Sequence, residues 1–167
     1  MRSRIAAVLA AAAALVLLAA LAITATGSDT AHIALADRTV IATMEKSSAG
    51  EVDNKPKGPS VGDTWQGAGN ISENGARVGR FQLTTTLVDA KYHSGFQTGV
   101  LILADGTITY QGSGIGKKIP GIPVDPDANV YAITGGTGVY AGAGGSFTVT
   151  SVKGSQTKAQ GVLHFSS

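Results

Sequence analysis

The sequence predicts an all-β fold, an eight-stranded antiparallel β-barrel preceded by an N-terminal apolar helix. Short segments rich in Thr, Val and aromatics recur at hairpin spacing after residue 37. Between them stand turn residues that tolerate positive φ, as in Glu73-Asn74-Gly75 and Asp105-Gly106. No stretch after residue 27 sustains a helical period of 3.6. Eight short strands joined by tight turns favour closure, because a closed barrel has no exposed edges and an open sheet has two.

The chain begins with Met1-Arg-Ser-Arg4 and an unbroken apolar run from Ile5 to Ile23. A basic start followed by an apolar stretch reads as a signal peptide or a membrane anchor over residues 1–27, then a spacer over 28–37. Either reading places the domain outside the cytoplasm, secreted or held to the membrane only through its N-terminal segment. The β-barrel domain is expected over 38–167. Trp65, the four Tyr and the four Phe all lie after residue 60.

Within that domain the first strand is expected over Arg38–Lys46, and residues 47–62 read as linker. The other seven are Asp63–Ile71, Arg77–Val88, Gln97–Leu103, Thr107–Gly112, Val130–Thr134, Gly145–Val152 and Thr157–Phe165. Glycines inside them, among them Gly67, Gly69, Gly79, Gly99 and Gly112, suit bends and corners of a curved wall. The connection Gly112–Ala128 is too long for a hairpin and reads as a binding loop or a plain crossover.

Composition narrows function. The chain has no cysteine, which removes disulfides, thiolate nucleophiles and iron–sulfur sites together. A formal net charge of +2 over 167 residues gives no footprint for nucleic acid. Gly112–Lys118 is one residue short of a phosphate loop and lacks the following Ser or Thr. Gly136-Thr-Gly138-Val-Tyr-Ala141 matches a dinucleotide fingerprint in letters, yet it leads into a strand and offers no helix N-terminus. Asp125-Pro-Asp127 reads as a solvated loop pair, and His93 and His164 are too few for a metal hydrolase.

What remains is a set for an apolar pocket. On Arg77–Val88 the odd positions Phe81, Leu83, Thr85 and Leu87 share one face. Trp65, Tyr110, Tyr131 and His164 each carry an apolar body with a polar tip, and Phe96 adds a further ring. Their alternative role is to cap the core or cover a subunit interface. Glu45 is the one carboxylate within an expected strand. Pointing inward, it would have a raised pKa and serve as an acid or base; pointing outward, it is an ordinary surface group.

Four blocks come in a familiar order: Gly58-Pro-Ser-Val-Gly62-Asp63, Glu73-Asn-Gly-Ala-Arg-Val78-Gly79, Asp105-Gly106-Thr-Ile-Thr-Tyr-Gln111-Gly112 and Ala132-Ile-Thr-Gly-Gly-Thr-Gly138-Val-Tyr-Ala-Gly142-Ala. Over residues 38–166 the chain resembles the allene oxide cyclase barrel superfamily, to which the dirigent proteins are similar. The resemblance implies a barrel with its ligand inside, a homodimer or homotrimer, and no cofactor. It implies a cyclase or isomerase that folds a hydrophobic linear metabolite, polyketide-type, through steps such as a [4+2] cycloaddition. A carrier or dirigent-like guide for a small apolar ligand is the alternative. It places Glu45 and Asn70 in catalytic positions, with Thr85 where the plant cyclases carry a cysteine.

Overall fold

The computed structural model describes residues 35–45, 49–54, 56–123 and 125–166; the leader 1–27 and most of the spacer lie outside them. Nine strands follow one another: β1 Arg38–Met44, β2 Gly50–Val52, β3 Thr64–Glu73, β4 Ala76–Asp89, β5 Ser94–Leu103, β6 Gly106–Ile115, β7 Ala128–Gly138, β8 Gly144–Ser151 and β9 Lys158–Ser166. From β3 to β9 each pairs antiparallel with the next. The first strand closes the sheet by pairing with β9 on one side and β3 on the other. The result is a closed eight-stranded barrel. A short ninth piece, β2, lies where a linker was expected. It takes the upper edge of β3 (Thr64 to Gln66) that β1, paired only from Gly69 to Ser72, leaves open. Gly50-Glu-Val52 is too short to show any alternation in sequence.

Alternation makes the wall one-sided. Residues paired across antiparallel strands share a face, so the register stacks the interior in rows. One row carries Trp65, Thr85, Gln97 and Gly112; the next carries Gly67, Leu83, Gly99 and Tyr110; below it come Gly69, Phe81, Leu101 and Ile108. Slipping one strand by one residue would turn its apolar set to water, which is what fixes the pairing. The Asn74-Gly75 turn between β3 and β4 has φ of 50° and 80°, the left-handed pair that a two-residue hairpin requires.

The two ends of the barrel differ. At the end where β1 starts, Tyr140 is buried and stacks on Phe165 at 6.0 Å. Its hydroxyl accepts a bond from Arg38 and donates one to Asp105 at 3.1 Å. Arg38 also grips both oxygens of Glu73, at 3.3 and 2.7 Å. Ile108 and Leu163, both fully buried, fill the space above this plug. The opposite end carries the β8–β9 connection, the long 116–127 loop and the loop leading into β3.

That last loop is tied down by Asp63. Its carboxylate, on a residue 1% exposed, accepts from the Ser60 and Asn54 backbone N–H groups at 2.8 Å and from the Ser60 hydroxyl at 2.9 Å. The Ser60 N–H foremost holds the Asp63 carboxyl below its ordinary value of 3.8. Arg38 does the same for Glu73, Arg80 for Glu45 and His164 for Asp37. A carboxylate lowered by folding stabilises the fold above its unfolded pKa, and the gain is lost as pH falls through the folded value. The urea midpoint is therefore expected to hold steady from about pH 7 to about pH 5 and to fall below about pH 4. Asp63→Asn is expected to flatten that fall; an equal midpoint at about pH 7 and about pH 3 would contradict the assignment.

Candidate functional site

A cavity of about 210 Å³ lies inside the barrel and reaches out at the β8–β9 connection. Phe81, Leu83, Leu101, Tyr110, Phe147 and Val149 make most of its wall, and Ser151 and Ser155–Ala159 form its mouth. The strands create the room by setting glycine beside each large ring. A Cβ on Gly99 would come within 2.3 Å of the Tyr110 ring; on Gly69, within 2.6 Å of Phe81; on Gly161, within 2.5 Å of Phe147. The rings thus lie flat against bare backbone and leave the axis free. Sequence reasoning gives Gly69 and Gly99 to wall curvature; the interior shows that they also seat aromatics.

Three rings form one cluster. Tyr110 and Phe147 meet edge to face at 4.9 Å, and Tyr131 stands 5.5 Å from Tyr110 and 6.5 Å from Phe147. A polar chain crosses the wall beside them. The Thr85 hydroxyl donates to the Gln97 carbonyl oxygen at 3.1 Å, and the Gln97 amide nitrogen donates to the Tyr110 hydroxyl at 3.5 Å. Tyr110 thereby accepts at its oxygen and keeps its own proton to give. Burial, aided by the neighbouring Tyr131, pushes the Tyr110 phenol up, far from ionising at neutral pH. The same burial raises Tyr131. The cavity therefore offers an apolar box with a neutral hydrogen-bond donor, Tyr110, in its wall.

The expected site residues divide accordingly. Phe81, Leu83 and Tyr110 line the cavity, Tyr131 backs it through Tyr110, and Thr85 joins it through Gln97. Trp65 is half-buried in the inward row directly opposite Thr85, above the lining residues. Phe96 is 43% exposed, on the outward face of β5, because its neighbours Gly95 and Gln97 hold the inward positions. His164 also faces out, pairing with Asp37 at 2.7 Å near the closed end.

Glu45 and Asn70 stand on the outer wall as well. Both Glu45 oxygens accept from Arg80 at 3.0 Å, and the Arg80 guanidinium lowers the Glu45 carboxyl. The raised acid that an inward Glu45 would have been is thus absent. Asn70 sits on the same outer strip, since its inward neighbours are Gly69 and Ile71. Among the described residues no cluster of three or more His, Asp or Glu could hold a metal ion.

Gln97 and Phe147 are two of the lining groups that sequence reading missed. The signal for Gln97 was its phase: it shares the inward parity of Gly99, Leu101 and Leu103. Phe147 likewise keeps step with Val149 on a Thr- and Ser-rich strand. A further string, Gly58-Pro-Ser60-Val-Gly62, spells the nucleophile-elbow motif G-x-S-x-G. Here it is a loop anchor, for the Ser60 hydroxyl is buried against Asp63 and the Asn54 carbonyl at 3.0 Å.

No family model matches the chain, and no curated protein does. Solved structures do. A pyocyanin demethylase superposes with a TM-score of 0.64 at 21% identity, over 78% of this chain and 100% of its own. A pterocarpan synthase dirigent protein gives 0.55 at 16% identity, over 79% of this chain and 96% of its own. An exo-specific intermolecular Diels-Alderase, AbnU, gives 0.55 at 13% identity, over 77% and 96%. The barrel fold is thus one that dirigent proteins and a Diels-Alderase also have. At these identities the likeness speaks for the fold alone. Among the described residues, the plugged end, the glycine-seated rings and the open mouth define a route to the interior past Ser155–Lys158.

Proposed function

We propose that the protein is a cofactor-independent cyclase or isomerase that folds a small hydrophobic substrate inside the barrel. The observation that carries this reading is the apolar cavity with Tyr110 as its neutral donor, braced by Gln97 and Thr85. Confinement holds two reacting ends near attack distance, which lowers a barrier by removing freedom in advance. A hydrogen bond from Tyr110 to an oxygen conjugated with the reacting carbons would stabilise the charge that develops there. Such steps rearrange bonds within one molecule and need no inward carboxylate.

Size limits the substrate. An apolar cavity of about 150 Å³ accommodates benzene, so about 210 Å³ holds one or two fused rings. A longer linear chain would have its reacting segment inside and its remainder through the mouth. That a pyocyanin demethylase, a Diels-Alderase and dirigent proteins share the barrel is consistent with such chemistry and does not choose among them.

The test is mass spectrometry of extracts from a deletion strain and its parent, followed by complementation. A linear isomer accumulating in place of a cyclic product is the expected result. Complementation with Tyr110→Phe is expected to leave turnover about 100- to 1,000-fold below wild type, the usual cost of one lost donor to a developing charge. An unchanged profile would remove the cyclase. The second reading, a carrier of a small apolar ligand, is favoured by the outward placement of Glu45 and Asn70. It predicts binding with no change of the ligand.

A further inference from the structure

We propose that the cavity selects a ligand that accepts a hydrogen bond, such as a ketone or an aromatic ring nitrogen, over a hydroxyl compound of the same shape. Thr85, which lies outside the lining, sets that preference through Gln97. This rests on the reading of the cavity as a ligand site and names the class of molecule that the site takes.

Among the described residues, the lining below the mouth has two polar side chains, Gln97 and Tyr110. Tyr110 is 4% exposed. Its hydroxyl receives the Gln97 amide at 3.5 Å and has no acceptor for its own proton among the described residues. A buried tyrosine hydroxyl ordinarily gives its proton to a partner. The one side-chain carbonyl of the deep lining, that of Gln97, is turned to the Thr85 hydroxyl at 3.1 Å. The wall therefore meets a ligand with a proton to give and no free carbonyl to receive one. A ketone satisfies Tyr110 and brings no donor of its own. An alcohol could accept the same bond, but its own proton would be buried in an apolar box without a partner.

Thr85 decides which way the Gln97 amide faces. The two are direct register partners on the inward face, with Thr85 half-buried in the row above Leu83. A carboxamide has nearly the same shape either way round, so its hydrogen-bond partners orient it. The Thr85 hydroxyl holds the carbonyl end, and the amide nitrogen is left to Tyr110. Without that hydroxyl, turning the amide would set the carbonyl against the Tyr110 hydroxyl. Tyr110 would then give its proton within the wall and offer a ligand only its oxygen. Thr85 is thus a positioning residue that acts two side chains away from the ligand.

Three competitors of one skeleton test this on the full chain: the ketone tetralone, the alcohol tetralol and the hydrocarbon tetralin. Each is titrated against bound phenylnaphthylamine, a dye that brightens in apolar surroundings. Tetralone is expected to displace the dye at about fivefold lower concentration than either of the others, the scale of one hydrogen bond made or left unmade. Tyr110→Phe is expected to bring tetralone to the level of tetralin. Thr85→Val keeps the shape and removes the hydroxyl. It is expected to reverse the order of tetralone and tetralol while tetralin binds as before. Thr85→Ser, which keeps the hydroxyl, should retain the wild-type order.

If tetralone has no advantage over tetralol in the wild type, or keeps it in Tyr110→Phe, the preference is overturned and the cavity stands. If Thr85→Val leaves the wild-type order, or Thr85→Ser loses that order as Thr85→Val does, the role of Thr85 is overturned. If neither the dye nor any competitor binds, the cavity is no ligand site, and the reading beneath it falls as well.

Discussion

Gly99→Ala is expected to abolish binding of apolar ligands while leaving a folded barrel. Gly99 and Tyr110 are direct register partners, and the ring lies over the bare backbone of the glycine. A methyl group would meet the ring carbon Cζ and the hydroxyl oxygen at 2.3 Å, well inside contact distance. The sheet itself bars retreat on one side, so the ring moves toward the axis and into the cavity. Overpacking of this kind costs about 1–3 kcal/mol. It would also break the long Gln97 contact and so disarm the donor. Dye titration and urea denaturation measure the two effects together. A variant that binds like wild type would show that the ring escapes sideways, and that the cavity does not depend on Gly99.

Phe147→Ala is expected to do the reverse: to enlarge the cavity at a large cost in stability. Phe147 is 4% exposed, closes one side of the cavity and packs edge-on against Tyr110. Removing a buried phenyl group costs about 3–5 kcal/mol, part of it for the void left behind. For a domain of this size that lowers the melting temperature by about 10–20 °C. The enlarged barrel is expected to admit a ligand with one more ring than wild type accepts. Calorimetry with a ligand series reads both outcomes. A loss under about 1 kcal/mol would mean that the neighbouring rings collapse into the space, and the ligand range would then stay as it was.

The same residues explain what could be read before any coordinates. The eight strands were legible because each keeps period two between strong turn residues. The barrel was legible because glycine and aromatic positions recur in blocks familiar from one superfamily. Leu83, Phe81 and Tyr110 were legible as lining because their phase places them with the apolar face. Glu45 was not, because the sequence leaves the inward phase of β1 open; the register sets Val40 and Ala42 inside and so puts Glu45 outside, against Arg80 35 positions away. Phe96 and His164 were misplaced for a related reason. An aromatic ring or imidazole suggests a pocket by its chemistry, but side of the sheet is set by parity, and both sit on the outward parity. Gln97 was overlooked because a glutamine suggests a surface, although its odd position among Gly95, Gly99 and Leu101 places it within.

The seam that closes the barrel also dictates when the protein can exist as a barrel during its synthesis. The pairings from β3 to β9 join neighbours in sequence, so they can zip up as the chain emerges. Closure cannot: Asp37 and His164, which meet across the seam, lie 127 positions apart. Until β9 has been made, β1 has only the short stretch from Ile41 to Met44 set against β3, and the inner face stays open to water. Contacts so distant are formed late and slowly, since the chain must be brought round before they repay it. The meander that precedes closure carries two free edges and an uncovered apolar surface, the state most liable to associate wrongly. The last strand is therefore what turns a sticky sheet into a vessel, and a chain cut short before Lys158 would lack both the lid of its seam and the rim of its mouth.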